Sequence, residues 1–195
     1  RHRQVVLPEG DVLLHCGDIL MSSSLAATSR GLGILEDFNL WLGTAPCKER
    51  VVIGGNHDVI LESLGDAGAQ ELLSNAIFVQ DASVVLPLAG IKVYGNAFSV
   101  GDSHNVAWQG ERPDVSDECV GADVVMTHLA EPSIVEEVLR RTKPLLWVSG
   151  HAHADYGVTQ NDGITFVNAA IMDMEYQPVQ APVVVDLPPS QMPVN

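Results

Sequence analysis

Four short polar clusters carry the side chains in this chain that could do chemistry. They are "GD" with Asp18, "GNHD" with Asn56, His57 and Asp58, "TH" with His128, and "GHAH" with His151 and His153. Imidazole, carboxylate and amide oxygen together form a mixed N/O donor set, which suits borderline divalent metals such as Zn²⁺, Mn²⁺, Fe or Co²⁺. No cysteine has zinc or redox spacing relative to another, so a thiolate structural zinc site is not indicated. A mixed set that leaves coordination positions open fits catalysis. One carboxylate shared by two ions, roughly 3.5–4 Å apart, would clamp the attacking and leaving oxygens of a phosphoryl transfer and generate hydroxide near neutral pH.

Each cluster alone has an ordinary reading. Asp18 could close a turn, a lone His128 could be a satisfied core histidine, and "GHAH" could be a surface turn. Their shared position argues otherwise, because each follows an apolar run. "DVLLHC" (11–16) precedes Asp18, "RVVIG" (50–54) precedes Asn56, "ADVVMT" (122–127) precedes His128, and "PLLWVSG" (144–150) precedes His151. Such short runs, bounded by turn residues, read as buried strands. Ligands in open α/β sheets gather at the carboxyl ends of strands. In an extended segment, residues two apart face the same side, roughly 6–7 Å apart at Cα, so His151 and His153 could approach one centre or two adjacent ones.

Between these strands, Ile34, Phe38, Trp41 and Leu42 recur at helical spacing, and Gly43 and Pro46 predict the stop. A short helix is expected over 67–76, and another over "EPSIVEEVLRR" (131–141), with Pro132 in its first turn. "IFVQ", "ASVVL" and "IKVYG" predict neighbouring, antiparallel strands. "YGVTQNDGITFVN" predicts a hairpin with its turn at "NDG", and "APVVVDL" predicts a last strand. Alternating strands and helices followed by clustered strands indicate one α/β domain with mixed sheets.

The 195 residues suffice for a single domain with a sizeable core. Twenty-five acidic against ten basic residues leave a net charge of −15. That field disfavours long nucleic acid and anionic membrane as partners, and no apolar run is long enough for a membrane-spanning helix. Cys16, Cys47 and Cys119 read as reduced thiols in a cytoplasmic protein. An anionic substrate would need positive charge from bound cations. The polar stretch Asn96–Glu118 has the length of a binding loop, with His104 and Trp108 as its most substrate-like residues. Trp108 could stack on a base or pack within the loop.

The order "GD… GNHD… TH… GHAH", together with "FNLWLG", "VVIGGNHD" and the late "YGVTQNDGITFVNAA", resembles the calcineurin-like metallophosphoesterase superfamily. Within it the chain looks most like the small metallophosphoesterase-domain-containing branch, some of whose members hydrolyse cyclic nucleotides or model phosphodiesters. The resemblance implies a four-layer α/β/β/α sandwich, two mixed sheets flanked by helices, with two divalent ions at one edge. It implies that Asp18 bridges both ions, that Asn56, His128 and His151 complete one site, and that His153 serves the other. It gives His57 the scissile phosphate and the leaving oxygen, and Asp58 a hydrogen bond that orients His57. The expected activity is hydrolysis of a small phosphodiester. A phosphomonoesterase or protein phosphatase on the same site, or a catalytically weak nucleotide- or protein-binding scaffold, are the alternatives. The superfamily also carries an Asp-x-His motif on a first strand, and none occurs before Asp18; His2 stands between two arginines. The expectation is a domain over 1–195 that is N-terminally incomplete, with a weakened first metal site and impaired catalysis.

Overall fold

The computed structural model describes residues 1–21, 28–101, 104–111 and 115–188. Three parallel strands form the smaller sheet: β1 (Gly10–Cys16), β2 (Cys47–Ile53) and β3 (Ile77–Phe78), in the order β1-β2-β3. Two helices cover its outer face, α1 (Thr28–Gly43) and α2 (Val59–Leu72). Leu35, Phe38 and Leu42 lie on one helical face of α1 and are fully buried with Val52, Leu61 and Leu73. Helix α2 starts directly after Asp58, eight residues before the expected 67–76 helix, and it ends earlier. Gly65, at φ 66°, breaks the helical geometry within it and obscures the apolar face that Ile60 and Leu61 begin.

The larger sheet contains β4 (Ala82–Val85), β5 (Lys92–Asn96), β6 (Val124–Thr127), β7 (Leu146–Ser149), β8 (Gly157–Asn161) and β9 (Ile164–Asn168), in the order β4-β5-β6-β7-β9-β8. Its centre is parallel, and the β4–β5 and β8–β9 pairs are antiparallel. Mixed pairing is thus confined to this sheet. Every residue of β6 and β7 is buried, which is why these strands read as continuous apolar runs rather than alternating ones. Asp162 (φ 49°) and Gly163 (φ 82°) make the tight turn of the β8–β9 hairpin, as "NDG" predicts.

The sheets pack face to face through Val51, Ile53, Val93, Met126, Val148 and Val167. On the far side, α3 (Pro132–Leu139) buries Ile134 and Val138 against Tyr94, Val125 and Trp147. The result is the expected α/β/β/α layering. Two strand expectations change. "IFVQ" supplies β3 of the smaller sheet, parallel to β2, and does not join β4 and β5. "APVVVDL" belongs to neither sheet: Val183, Val185 and Leu187 turn inward onto the inter-sheet core, so packing keeps the strand-like alternation without a ladder. Among the described residues no helix is long and apolar enough to cross a membrane.

The N-terminal residues His2–Gln4 form one 3₁₀ turn docked on α1. The His2 ring packs on Phe38 and Trp41 and donates to Asp37 at 2.8 Å, and Arg3 also pairs with Asp37. The Arg3 and His2 hydrogen bonds hold the Asp37 carboxyl down at about 2.

Candidate metal centre

The four strand ends β1, β2, β6 and β7 meet at one edge of the sandwich, where the two sheets abut. After Cys16 the chain turns sharply through Gly17 at φ 88°; a Cβ there would lie 2.3 Å from the Gly54 carbonyl oxygen. Asp18 follows in the left-handed region at φ 58°, a conformation costly for a non-glycine residue and concentrated at functional sites. Gly55 makes room on the other side. A Cβ on it would stand 2.4 Å from Asp18 Oδ1 and 2.7 Å from His128 Cε1.

Asp58 buckles these two loops together. Its carboxylate accepts the backbone N–H groups of Leu20 and Gly55, each at 2.9 Å, and that of Ile19 at 3.3 Å. Burial, then the nearby Asp18 charge, pushes its carboxyl up to about 7. The expected hydrogen bond from Asp58 to His57 is absent: the carboxylate is directed to those three amides. The His57 Nδ1 is buried without a partner. The His57 Nε2 lies 3.1 Å from Asn105 Nδ2 and 3.9 Å from Asp18 Oδ2, and its backbone N–H donates to Asp18 Oδ1 at 3.1 Å.

Four donor atoms converge beside it. His128 Nδ1 stands 2.7 Å from the Cys16 carbonyl. A carbonyl only accepts, so Nδ1 carries a proton, and in the neutral ring Nε2 has the lone pair that faces the centre. That Nε2 is 2.9 Å from Asn56 Oδ1, 3.0 Å from His151 Nδ1 and 3.4 Å from Asp18 Oδ1. Asn56 Nδ2 donates to the Asn105 carbonyl at 3.2 Å, which leaves its Oδ1 facing inward, 3.1 Å from His151 Nδ1. Among the described residues, Asp18, His128 and His151 form a group whose ligand atoms all lie within 4.8 Å of one another. These N and O atoms are all of metal-ligating type and close enough to share one cation in place of protons, so the set fits one divalent metal ion.

Without a cation the centre favours a proton on His128 Nε2, shared with Asp18; a metal ion would take that proton's place. Burial raises the Asp18 carboxyl, but the His128 hydrogen bond and the charges of His128 and His57 outweigh it and hold it at about 2. Burial lowers His128, yet its bond to Asp18 prevails and the ring is raised overall. Burial, and next the neighbouring His128, push His151 down to about 4. Adjacent rings cannot both hold charge cheaply, and the neutral imidazole is the form that ligates metal.

His153 lies outside this group. His151 takes a left-handed conformation at φ 59°, and the chain then enters a 3₁₀ turn over His153–Asp155, so the extended geometry that would align the two rings on one face is absent. His153 Nδ1 donates to the Asp173 carbonyl at 3.0 Å, with Tyr176 edge-on at 5.2 Å, and its Nε2 lone pair stays available. In the long loop, residues 102–103 and 112–114 fall outside the described residues. His104 is exposed. Trp108 is half-buried and packs on one side: its ring covers Gly54, where a Cβ would be 2.1 Å away, and it tilts against Phe78. Asn105 is the site neighbour that sequence reasoning misses, since "SHNVAW" follows no strand and has no period.

A family model described as calcineurin-like phosphoesterase matches residues 2–155. Human metallophosphoesterase domain-containing protein 1 is 30% identical over 230 aligned positions, which cover 94% of this chain and 67% of that protein. A UPF0046 protein of Caenorhabditis elegans is 29% identical over 218 positions, covering 93% and 74%. A solved structure superimposes with a TM-score of 0.59 at 13% identity, over 85% of this chain and 80% of its own, a likeness of fold. With the converging strand ends, the layered sheets and these relatives in agreement, the chain belongs to the calcineurin-like phosphoesterase family, the metal-dependent hydrolases of phosphoric esters.

Proposed function

We propose that the protein hydrolyses a small phosphodiester, with cyclic nucleotides among the candidates, at a centre that holds two divalent ions. The observation that carries this reading is the convergence of Asp18, Asn56, His128 and His151 lone pairs directly beside the His57 ring. Asp18, Asn56, His128 and His151 would hold one ion. The second Asp18 oxygen and His153 Nε2 are the groups that would serve the other. Bound ions supply Lewis-acid charge for the phosphoryl oxygens and acidify the attacking water.

The chain's own residues do the rest. His57 Nε2 faces the centre, where it can hold a proton and pass it to the leaving oxygen as the ester P–O bond breaks and the water oxygen joins phosphorus. Asp58 keeps the loops of Asp18 and His57 in register through three amides. The net charge of −15 disfavours a long nucleic-acid substrate.

Turnover of bis-p-nitrophenyl phosphate against p-nitrophenyl phosphate in Mn²⁺ tests the reading. Preference for the diester is expected. Preference for the monoester would reassign the centre to a phosphatase, and no turnover of either with metal bound would favour a scaffold. His57→Ala should lower turnover about 100- to 10,000-fold, leaving a measurable residual rate, with metal content unchanged.

A further inference from the structure

The segment Asn105–Trp108 touches both chemical halves of the centre through residues that bind no metal in the reading above. The backbone carbonyl of Asn105 accepts from Asn56 Nδ2 at 3.2 Å, and the Ala107 N–H donates to the Asn56 carbonyl at 3.2 Å. The side-chain Nδ2 of Asn105 stands 3.1 Å from His57 Nε2. The segment is itself fixed. The Trp108 N–H donates to Glu62 at 2.7 Å, the Trp108 carbonyl accepts from Ser99 at 3.1 Å, and the Trp108 ring lies over Gly54.

We propose that Asn105 is a positioning residue for the phosphoester chemistry. Its side chain sets the His57 ring, and its carbonyl sets which end of the Asn56 amide faces His128 and His151. The proposal rests on the phosphoesterase reading of this centre.

Two side chains here have a choice that the strands alone do not make. The Asn56 amide could present nitrogen or oxygen with nearly the same shape; only oxygen can ligate a cation, and the Asn105 carbonyl holds the nitrogen away. The His57 ring has a broad terminal torsion and two tautomers. Asp58 is occupied with three backbone amides and gives this ring no hydrogen bond. Because an amide nitrogen only donates, Nε2 of His57 receives the bond and Nδ1 carries the proton. Held by Asn105, the ring keeps Nε2 at the edge of the donor set, 3.9 Å from Asp18 Oδ2.

The test reads the His57 ring nitrogens by long-range ¹H–¹⁵N correlation in metal-free protein, and then the kinetics. Wild type should show the Nδ1–H tautomer. Asn105→Ala should give a mixture of tautomers. Asn105→Asp, close in size but unable to donate, should reverse the tautomer to Nε2–H, and it covers the case in which the alanine variant does not fold. With bis-p-nitrophenyl phosphate and Mn²⁺, Asn105→Ala should lower kcat about fivefold, the worth of one net hydrogen bond, with KM changed less than about twofold. Calorimetric Mn²⁺ affinity should also stay within about twofold, because the backbone carbonyl survives the substitution. Added to His57→Ala, the substitution should cause no further loss. Unchanged ring nitrogens in both variants, or a further loss in the His57→Ala background, overturn the proposal. Full turnover by His57→Ala would sink the catalytic reading of His57 instead, and the ring nitrogens would still decide whether Asn105 sets the ring.

Discussion

Replacing Gly55 with alanine should break the metal centre without touching a ligand. The new Cβ would lie 2.4 Å from Asp18 Oδ1, 2.5 Å from the Asp18 backbone nitrogen and 2.7 Å from His128 Cε1. Ordinary contacts are near 3.5 Å, so about 1 Å of displacement is required. Neither neighbour can swing away cheaply. The Asp18 nitrogen is backbone, and the His128 ring is buried and tied to the Cys16 carbonyl. Overpacking of this kind costs about 1–3 kcal/mol. In a chain of 195 residues a loss of about 2 kcal/mol lowers Tm by about 4–8 °C. Moving Asp18 relative to His128 by that distance should weaken Mn²⁺ binding by about 10- to 100-fold, the scale of a disturbed ligand environment. Gly150→Ala is the matched control in the same centre. Its Cβ would meet the Cys16 carbonyl oxygen at 3.5 Å and Cys16 Cβ at 3.6 Å, ordinary contacts, so both Tm and affinity should hold. Thermal unfolding of metal-free protein and Mn²⁺ calorimetry measure the pair. Wild-type values for Gly55→Ala, or equal damage in both variants, would refute the reasoning.

Trp108→Ala should lower stability by about 2–3 kcal/mol in urea unfolding, because the ring packs on Gly54 and Phe78; a raised KM with unchanged stability would restore a base-stacking role. Asp58→Ala strands the amides of Ile19, Leu20 and Gly55, which should cost about 2–4 kcal/mol by the same measurement. For Asp37 the folded carboxyl is held down at about 2 by Arg3 and His2, below its unfolded value of about 4. Its contribution is therefore present above about pH 4 and fades as pH falls towards 2. Asp37→Asn should flatten acid unfolding across that window, followed by circular dichroism.

The large-scale order of the fold was readable because buried parallel strands write themselves as unbroken apolar runs. Val124–Thr127 and Leu146–Ser149 are buried at every position, and the polar residues that follow them could be placed at strand ends. The two-residue β3 gives too few positions for a period to emerge. Val183, Val185 and Leu187 alternate as a strand would, yet the alternation records packing alone. Within the centre, residue types identified candidate donors, but they did not determine where backbone turns send them. The left-handed turn at His151 replaces the extended geometry expected for His151 and His153, and the Asp58 carboxylate is directed to the amides of Ile19 and Leu20 with no bond to His57 Nδ1. Asn105 was invisible for a different reason. Its relation to Asn56 and His57 comes from a loop closing across the fold, and nothing in its local pattern anticipates that.

The centre also ties the order of folding to ion binding. Asp18 and Asn56 leave the smaller sheet, His128 and His151 leave the larger one, and the Cys16–His128 contact joins positions 112 residues apart. Neither sheet alone can assemble the four donors. Ion affinity arises only once the two halves of the molecule have docked, so an ion bound there works as a latch on the last long-range step. It slows separation of the sheets more than it speeds their formation, and it adds stability in proportion to the logarithm of ion concentration.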